Sequence, residues 1–318
     1  MELQTRVPLQ SANNQIDYQS RVLLLGSCFV ENIGAKLEYY KFRTLQNPFG
    51  ILFHPKAIEK LLSKAIRGEF YSEDDIFHYN ERWHCFDVHS DLSDSSKDEL
   101  LSKLNGALTL SREQLTVATH VLVTLGTSWV YRHRASNALV ANCHKVPQKA
   151  FAKELLSATE VVDSLKEMIG LLQSVNPKIQ CVLTVSPIRH LKDGFVGNQR
   201  SKAHLISAIH EVVSQSGQEA QVAYFESFEL MMDELRDYRF YKNDMVHPND
   251  LAVDYIWEKF SGVWISANAQ QTMGAVEEIQ KGIMHRPFFP ESEQHRKFLQ
   301  SLKLKIEKLQ QKHPFITF

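Results

Sequence analysis

Two short stretches hold residue types that could carry acyl transfer. The first is Gly26-Ser27-Cys28-Phe29, which follows four aliphatic residues at 22–25. A hydroxyl and a thiol side by side at the start of a helix are candidate nucleophiles. Free backbone N–H groups and the positive end of the helix dipole there stabilise an oxyanion and lower a thiol's pKa. The same fragment also reads as a capping serine followed by a small buried apolar residue. The second stretch is Asp244-Met245-Val246-His247, followed by Pro248. A carboxylate three residues before a histidine can accept from Nδ1, hold the tautomer, and leave Nε2 to take a nucleophile's proton. It equally fits an ordinary surface pair. Chain order joins the two stretches: nucleophile, then Asp, then His, with the pair on the loop before a final helix.

The elements that must position these residues alternate. Apolar runs at 22–25, 120–126, 179–187 and 222–227 have the continuous character of strands buried on both faces. Between them the spacing predicts helices. One follows Gly26, with Phe29, Ile33 and Leu37 at i, i+4 and i+8; others are expected over 154–175 and over 201–217, the latter closed by Gly217. A helix over 250–260 ends this unit, with Asp250 able to cap it. Such alternation predicts an α/β fold with a parallel sheet built from right-handed crossovers. In such sheets the active site lies beyond the carboxyl ends of the strands, where both stretches fall.

Two regions break the alternation. Residues 75–91 (DIFHYNERWHCFDVHSD) read as an inserted β-hairpin. Residues 291–312 read as a charged amphipathic helix with Phe298, Leu302, Ile306 and Leu309 on one stripe. That stripe either packs on the domain or makes a homodimer contact. Within the hairpin, His84, Cys85, Asp87 and His89 suggest metal ligands. Strand alternation disfavours this, because Cys85, Asp87 and His89 would share one face with wide spacing and His84 would take the other. His89 fits better as a lining of the substrate pocket. Arg189 and His190 follow the third apolar run and so reach the active-site edge; Arg189 could bind a carboxylate or phosphate, or pair with a structural acid. Arg236 and Arg239 fit loop ion pairs, and His144 and Lys145 have little to separate them from surface residues.

Lys plus Arg (36) and Asp plus Glu (37) nearly cancel, leaving a net charge of -1, so whole-chain charge gives no argument for nucleic acid or an anionic membrane as partner. Neither a signal-peptide core at the N-terminus nor a run of membrane-spanning length is present. Four cysteines, none spaced CxxC, point away from a disulfide scaffold or zinc ribbon and towards free thiols in a cytoplasmic protein.

With both stretches in view, the sequence resembles the SGNH (GDSL-type) hydrolase superfamily, and within it the GSCFA family. The residues that carry the resemblance are VLLLGSCFVENIG at 22–34, NPFGILFHP at 47–55, LGTSWVY at 125–131, ANCHKVP at 141–147, TVSPIRH at 184–190 and RFYKNDMVHP at 239–248. They span roughly residues 20 to 260. The resemblance implies a three-layer α/β/α sandwich over residues 1–265, with residues 266–318 as a helical extension packed on it. It implies an acyl-ester hydrolase or acyltransferase acting on an acylated carbohydrate or another small acylated substrate, with no cofactor. G-D-S-L laid on residues 26–29 puts the nucleophile on Cys28 and Ser27 in the Asp position; a shift by one restores Ser27 as nucleophile. Gly50 fits the glycine whose N–H helps form the oxyanion hole. The third block, usually G-x-N-D, reads Gly126-Thr127-Ser128-Trp129, so Ser128 stands where that block has Asn, and Asn142 could supply the amide instead. Asp244 and His247 fit the last block without change. A non-catalytic ligand-binding module on the same fold is the alternative, favoured by the replaced Asp and Asn.

Overall fold

The computed structural model describes residues 5–216 and 221–318. Strand β1 (Arg21–Gly26) is followed by α1 (Cys28–Tyr39), β2 (Arg43–Gln46) and α2 (Pro55–Arg67). A hairpin of β3 (Phe77–Tyr79) and β4 (Arg82–His84) precedes α3 (Lys97–Val117) and β5 (His120–Leu125). Then come β6 (Trp129–His133), β7 (Leu139–Val140), β8 (Phe151–Leu155), α4 (Ala158–Val175), β9 (Gln180–Val185) and α5 (Gly194–Gln215). The chain continues through β10 (Val222–Phe225), a short turn α6 (Ser227–Glu229), α7 (Asp250–Trp264), α8 (Ala267–Met284) and α9 (Glu293–Lys312).

Five parallel strands form the central sheet in the order β10-β9-β5-β1-β2. The strand order reverses between β1 and β5, which opens a crevice at their carboxyl ends. Pleating sends alternate residues of β1 to opposite cores. Leu23 and Leu25 join the core under α2, α3, α4 and α5. Val22 and Leu24 join the one under α1, α7 and α8. The result is a three-layer α/β/α arrangement, and it explains why the central strands read as unbroken apolar runs.

Several expectations need correction. The helix expected over 154–175 starts at Ala158, because Ser157 and Glu160 form a capping box and residues 154–155 end β8. The helix expected from 201 begins at Gly194, and its expected cap Gly217 lies outside the described residues. Asn249, not Asp250, caps α7, with its side chain accepting from Ala252 N–H at 3.0 Å. The hairpin is shorter than expected. Asn80 and Glu81 both take positive φ (47° and 62°) in its two-residue turn, and β4 stops at His84, so Cys85, Asp87 and His89 follow no strand alternation. Asp87 instead pairs with Lys60 at 2.6 Å and accepts from Tyr71 Oη at 3.2 Å.

Two features had no counterpart in the sequence reading: the polar edge strand β2 and an antiparallel sheet in the order β7-β6-β8. In α9, Leu302 and Leu309 are buried while Phe298 is 38% exposed. The stripe packs on α8, where a Cβ at Gly282 would lie 2.7 Å from Leu302 Cδ1. No helix among the described residues is long and apolar enough to cross a membrane.

Candidate active site

The nucleophile turn is shaped by backbone contacts. Gly26 has φ +135°, and a Cβ there would lie 2.1 Å from the Thr124 carbonyl oxygen. Only a residue without a side chain fits this approach. Ser27 N–H donates to Thr124 O at 3.0 Å, and Gly26 N–H donates to Asn47 Oδ1 at 2.9 Å. Ser27 therefore takes the N-cap position of α1, yet its side chain makes no capping bond. Its Oγ is buried and has no hydrogen-bond partner among the described residues. Cys28, the first helical residue, turns the other way, into a cleft. Its Sγ lies 4.0 Å from His247 Nε2.

The acid–base loop is tied to itself. Asp244 Oδ1 accepts from the N–H groups of Val246 (2.8 Å) and His247 (3.0 Å), and Oδ2 lies 2.6 Å from His247 Nδ1. These backbone bonds, more than the imidazole, hold the Asp244 pKa down to about 2. An ionised carboxylate can only accept, so Nδ1 carries the proton and Nε2 offers its lone pair to Cys28. Lys242 N–H donates to His247 O (2.7 Å), closing the loop. Arg189 braces it from the loop after β9: Nη1 donates to Met245 O at 2.9 Å, and the guanidinium lies 5.4–5.6 Å from the ring centroids of Phe195, Tyr238 and Tyr241.

Burial pushes the Cys28 thiol pKa up, and Glu31 adds to this. The N–H groups of Cys28 and Phe29, together with Lys202, pull it the other way. The cleft has a volume of about 630 Å³ and runs past Cys28, Asp244 and His247 between Phe53, Trp129, Tyr131, Asn142, Arg189 and His190. A thiol, an imidazole and a carboxylate in this order can abstract a proton, attack an electrophilic carbon and return the proton to a leaving group.

The structure brings Cys28, Asp244, His247, Asn142, Arg189 and His190 together at this cleft and leaves Ser27, Gly50, Ser128 and His89 outside it. Gly50 does not fit its expected oxyanion role, because its N–H already donates to Asn47 O at 2.7 Å. Ser128 is fully buried; its hydroxyl donates to Ser201 O (3.2 Å) and its N–H to Ser201 Oγ (2.8 Å), so it joins β6 to α5 rather than facing a substrate. His89 does not line the cleft: its Cβ packs on Gly50 and its Nδ1 pairs with Asp91 at 3.1 Å. Asn142 Oδ1 accepts from His144 N–H at 2.8 Å, which orients the amide and leaves the NH₂ end as the donor. His84 is occupied by Ser93 Oγ and Tyr79 O, and no three His, Cys, Asp or Glu side chains among the described residues are grouped to hold a metal ion.

Sequence reasoning missed Lys202. It is 1% exposed on α5, and its Nζ donates to Gly126 O (2.7 Å) and Ser186 O (2.6 Å). The available signal was its phase: Lys202, Leu205, Ile209 and Val212 share the buried stripe of α5.

Burial also keeps three histidines neutral. It lowers the pKa of His54 and His144 to about 4 and of His190 to about 3. Above pH ~6.5 these groups are neutral in both the folded and the unfolded chain. As the pH falls towards 4, the unfolded chain takes up protons that the fold refuses, so stability falls. The fully buried His54 alone contributes a slope of about 1.4 kcal/mol per pH unit across that window. Thermal melts at pH 7 and pH 5 should therefore show a clearly lower Tm at pH 5. An unchanged Tm would refute the assignment of neutral buried imidazoles.

The fold is a parallel α/β/α sandwich with a thiol at a helix start, at the reversal of strand order, and a His–Asp pair facing it. Residues 21–260 match the model of the GSCFA family, and residues 276–318 match a model described as the GSCFA domain protein, C-terminal domain. The chain belongs to the GSCFA family. No curated protein is significantly similar in sequence. Among solved structures, one similar chain is a carbohydrate esterase family 3 protein from Talaromyces cellulolyticus, with 10% identity, TM-score 0.37, and coverage of 81% of this chain and 99% of that one. Another is an acetyl xylan esterase from the rumen bacterium Butyrivibrio proteoclasticus, with 10% identity, TM-score 0.33, and coverage of 81% and 66%. Likeness at these scores bears on neither activity nor substrate.

Proposed function

We propose that this protein is an acyl-ester hydrolase or acyltransferase using Cys28, His247 and Asp244, with an acylated carbohydrate or another small acylated compound as substrate. One observation carries the reading: Cys28 Sγ stands 4.0 Å from an imidazole whose far nitrogen is held 2.6 Å from an ionised carboxylate, all at one cleft. In this reading His247 Nε2 takes the thiol proton as Sγ bonds to the acyl carbon. The carbonyl oxygen becomes an oxyanion at the start of α1, where the Cys28 and Phe29 N–H groups lie, with the Asn142 amide lining the same cleft. Collapse breaks the ester C–O bond, and His247 returns the proton to the departing alkoxide. Water or an acceptor alcohol, deprotonated by His247, then attacks the thioester and frees Cys28. The aromatic walls Trp129 and Tyr131 suit the apolar face of a sugar ring.

The test is to incubate the protein with a small activated acyl ester, quench early, and map the adduct by peptide mass spectrometry. An acyl group on Cys28 that disappears in His247→Ala is the expected result. An adduct on Ser27 would overturn the choice of nucleophile. No adduct from a folded sample across several esters would favour the non-catalytic ligand-binding module.

A further inference from the structure

We propose that the substrate carries an acid group, a carboxylate or a phosphate, which Arg189 and Lys192 bind at the exposed rim of the Cys28 cleft. The inference rests on this cleft being the substrate site of the proposed reaction, and it adds the charge of the compound that enters. The Asp, Lys and Arg side chains lining the cleft are Lys153, Arg189, Lys192, Asp193 and Asp244. Both carboxylates are already engaged. Asp193 pairs with Lys153, whose Nζ lies 4.8 Å from the centroid of the Trp129 ring. Asp244 accepts from the N–H groups of its own loop and lies 2.6 Å from His247 Nδ1. None of the ion pairs among the described residues involves Arg189 or Lys192. The histidines His54 and His190 on the walls stay neutral. Glu31, on α1 beside the nucleophile, is outside the lining and accepts from Asn47 Nδ2 at 3.4 Å. Among the described residues the cleft thus presents two cations without a carboxylate partner and no unpaired carboxylate.

Arg189 is held in place without being neutralised. Its backbone N–H donates to Val246 O (3.2 Å) and its Nη1 to Met245 O (2.9 Å), which ties it to the loop that carries His247. The rings of Phe195, Tyr238 and Tyr241 lie 5.4–5.6 Å from the guanidinium. Such rings attract a cation and leave its charge intact. Among the described residues Nη1 alone of the guanidinium nitrogens has an acceptor, so Nε and Nη2 keep the fork of donors that matches a carboxylate or phosphate. Phe195 and Tyr238 are 65% and 62% exposed, and Lys192 is exposed, so this is the solvent-facing end of the cleft. An acid group seated there leaves the rest of the cleft to the acylated part of the compound. A bracing role for Arg189 accounts for its bond to Met245. It does not account for Lys192, a second cation on the same lining whose side chain makes no hydrogen bond or ion pair among the described residues.

The test reads binding and needs no ester turnover. Cys28 of the full-length protein is alkylated with iodoacetamide in the presence of glucuronate, glucose 6-phosphate or glucose, and its labelling rate is followed by peptide mass spectrometry. At least one of the two anions should protect Cys28 at concentrations where glucose does not. Protection by glucuronate alone assigns a carboxylate, and by glucose 6-phosphate alone a phosphate. Arg189→Gln should raise the half-protecting concentration roughly tenfold or more. Lys192→Gln, at an exposed position, should raise it about threefold. If Arg189 only braces the loop, Arg189→Gln changes the labelling rate without any sugar and leaves the half-protecting concentration where it was. That result, equal protection by glucose, or protection by neither anion overturns the proposal. Should Arg189→Gln fail to fold, Lys192→Gln decides, and an unchanged half-protecting concentration there refutes the pair. Protection by an anion without an acyl adduct from any ester would keep this site and discard acyl transfer. An adduct from neutral esters with no protection by anions would do the reverse.

Discussion

Cys28→Ala should abolish turnover of a small acyl ester, lowering kcat/KM by roughly 10³-fold or more, whereas Ser27→Ala should stay within a few-fold of the unmodified protein. The two residues are adjacent, yet their surroundings differ completely. Cys28 Sγ faces His247 across the cleft. Ser27 is 0% exposed, and its Oγ has no hydrogen-bond partner among the described residues. Removing such a hydroxyl forfeits no hydrogen bond and relieves an unpaired polar atom, so the fold should tolerate alanine. Measuring both variants with one ester separates the two registers by orders of magnitude. If Ser27→Ala is the inactive one, the proposed nucleophile is wrong. Activity surviving in both would remove the covalent mechanism altogether.

The second large effect concerns folding. Gly26→Ala should destabilise the protein by about 4 kcal/mol or more, enough that soluble folded protein is hard to recover. The new Cβ would meet Thr124 O at 2.1 Å and Thr124 C and N at 2.9 Å. These are backbone atoms of β5, which pairs with β1 on one side and β9 on the other, so they have nowhere to move. The φ of +135° adds its own penalty for any residue with a side chain. Gly170 is the control, since a Cβ there meets nothing within 4 Å and the residue lies inside α4. Gly170→Ala should leave stability unchanged or raise it by up to about 1 kcal/mol. Urea melts of both variants test the contrast. A Gly26→Ala protein within 1 kcal/mol of its parent would show that the β1–β5 approach is looser than described.

Some of this was legible in the sequence and some was not, for physical reasons. The strands β1, β5 and β9 announced themselves because both faces of the central sheet are covered by helices. Strand β2 did not, since RTLQ is a half-exposed edge with no apolar run. The β7-β6-β8 sheet escaped notice because its strands are two to five residues long and β8 flows into the cap of α4. At the site, Asp244 and His247 were readable because the pair is wired locally over three residues. Gly50, Ser128 and His89 were misplaced, because whether an N–H or hydroxyl is free depends on what packs against it. Gly50 spends its N–H on Asn47, Ser128 spends its groups on Ser201, and His89 turns to Asp91. Lys202 was hidden for the opposite reason. A lysine in a helix is usually solvated, and only its distant carbonyl partners give it a reason to be inside.

The alternation of β1 between two cores has a consequence for how this stretch can change over generations. Leu23 and Leu25 serve one side, and Val22 and Leu24 the other. One aliphatic residue can replace another at any of these sites with modest repacking. Loss or gain of a single codon is a different matter. It would trade the two cores' side chains and rotate the end of the strand, so that a gain would bring Ser27, and a loss Phe29, to where Cys28 now stands. The identity of these residues is free to drift, but their number is not.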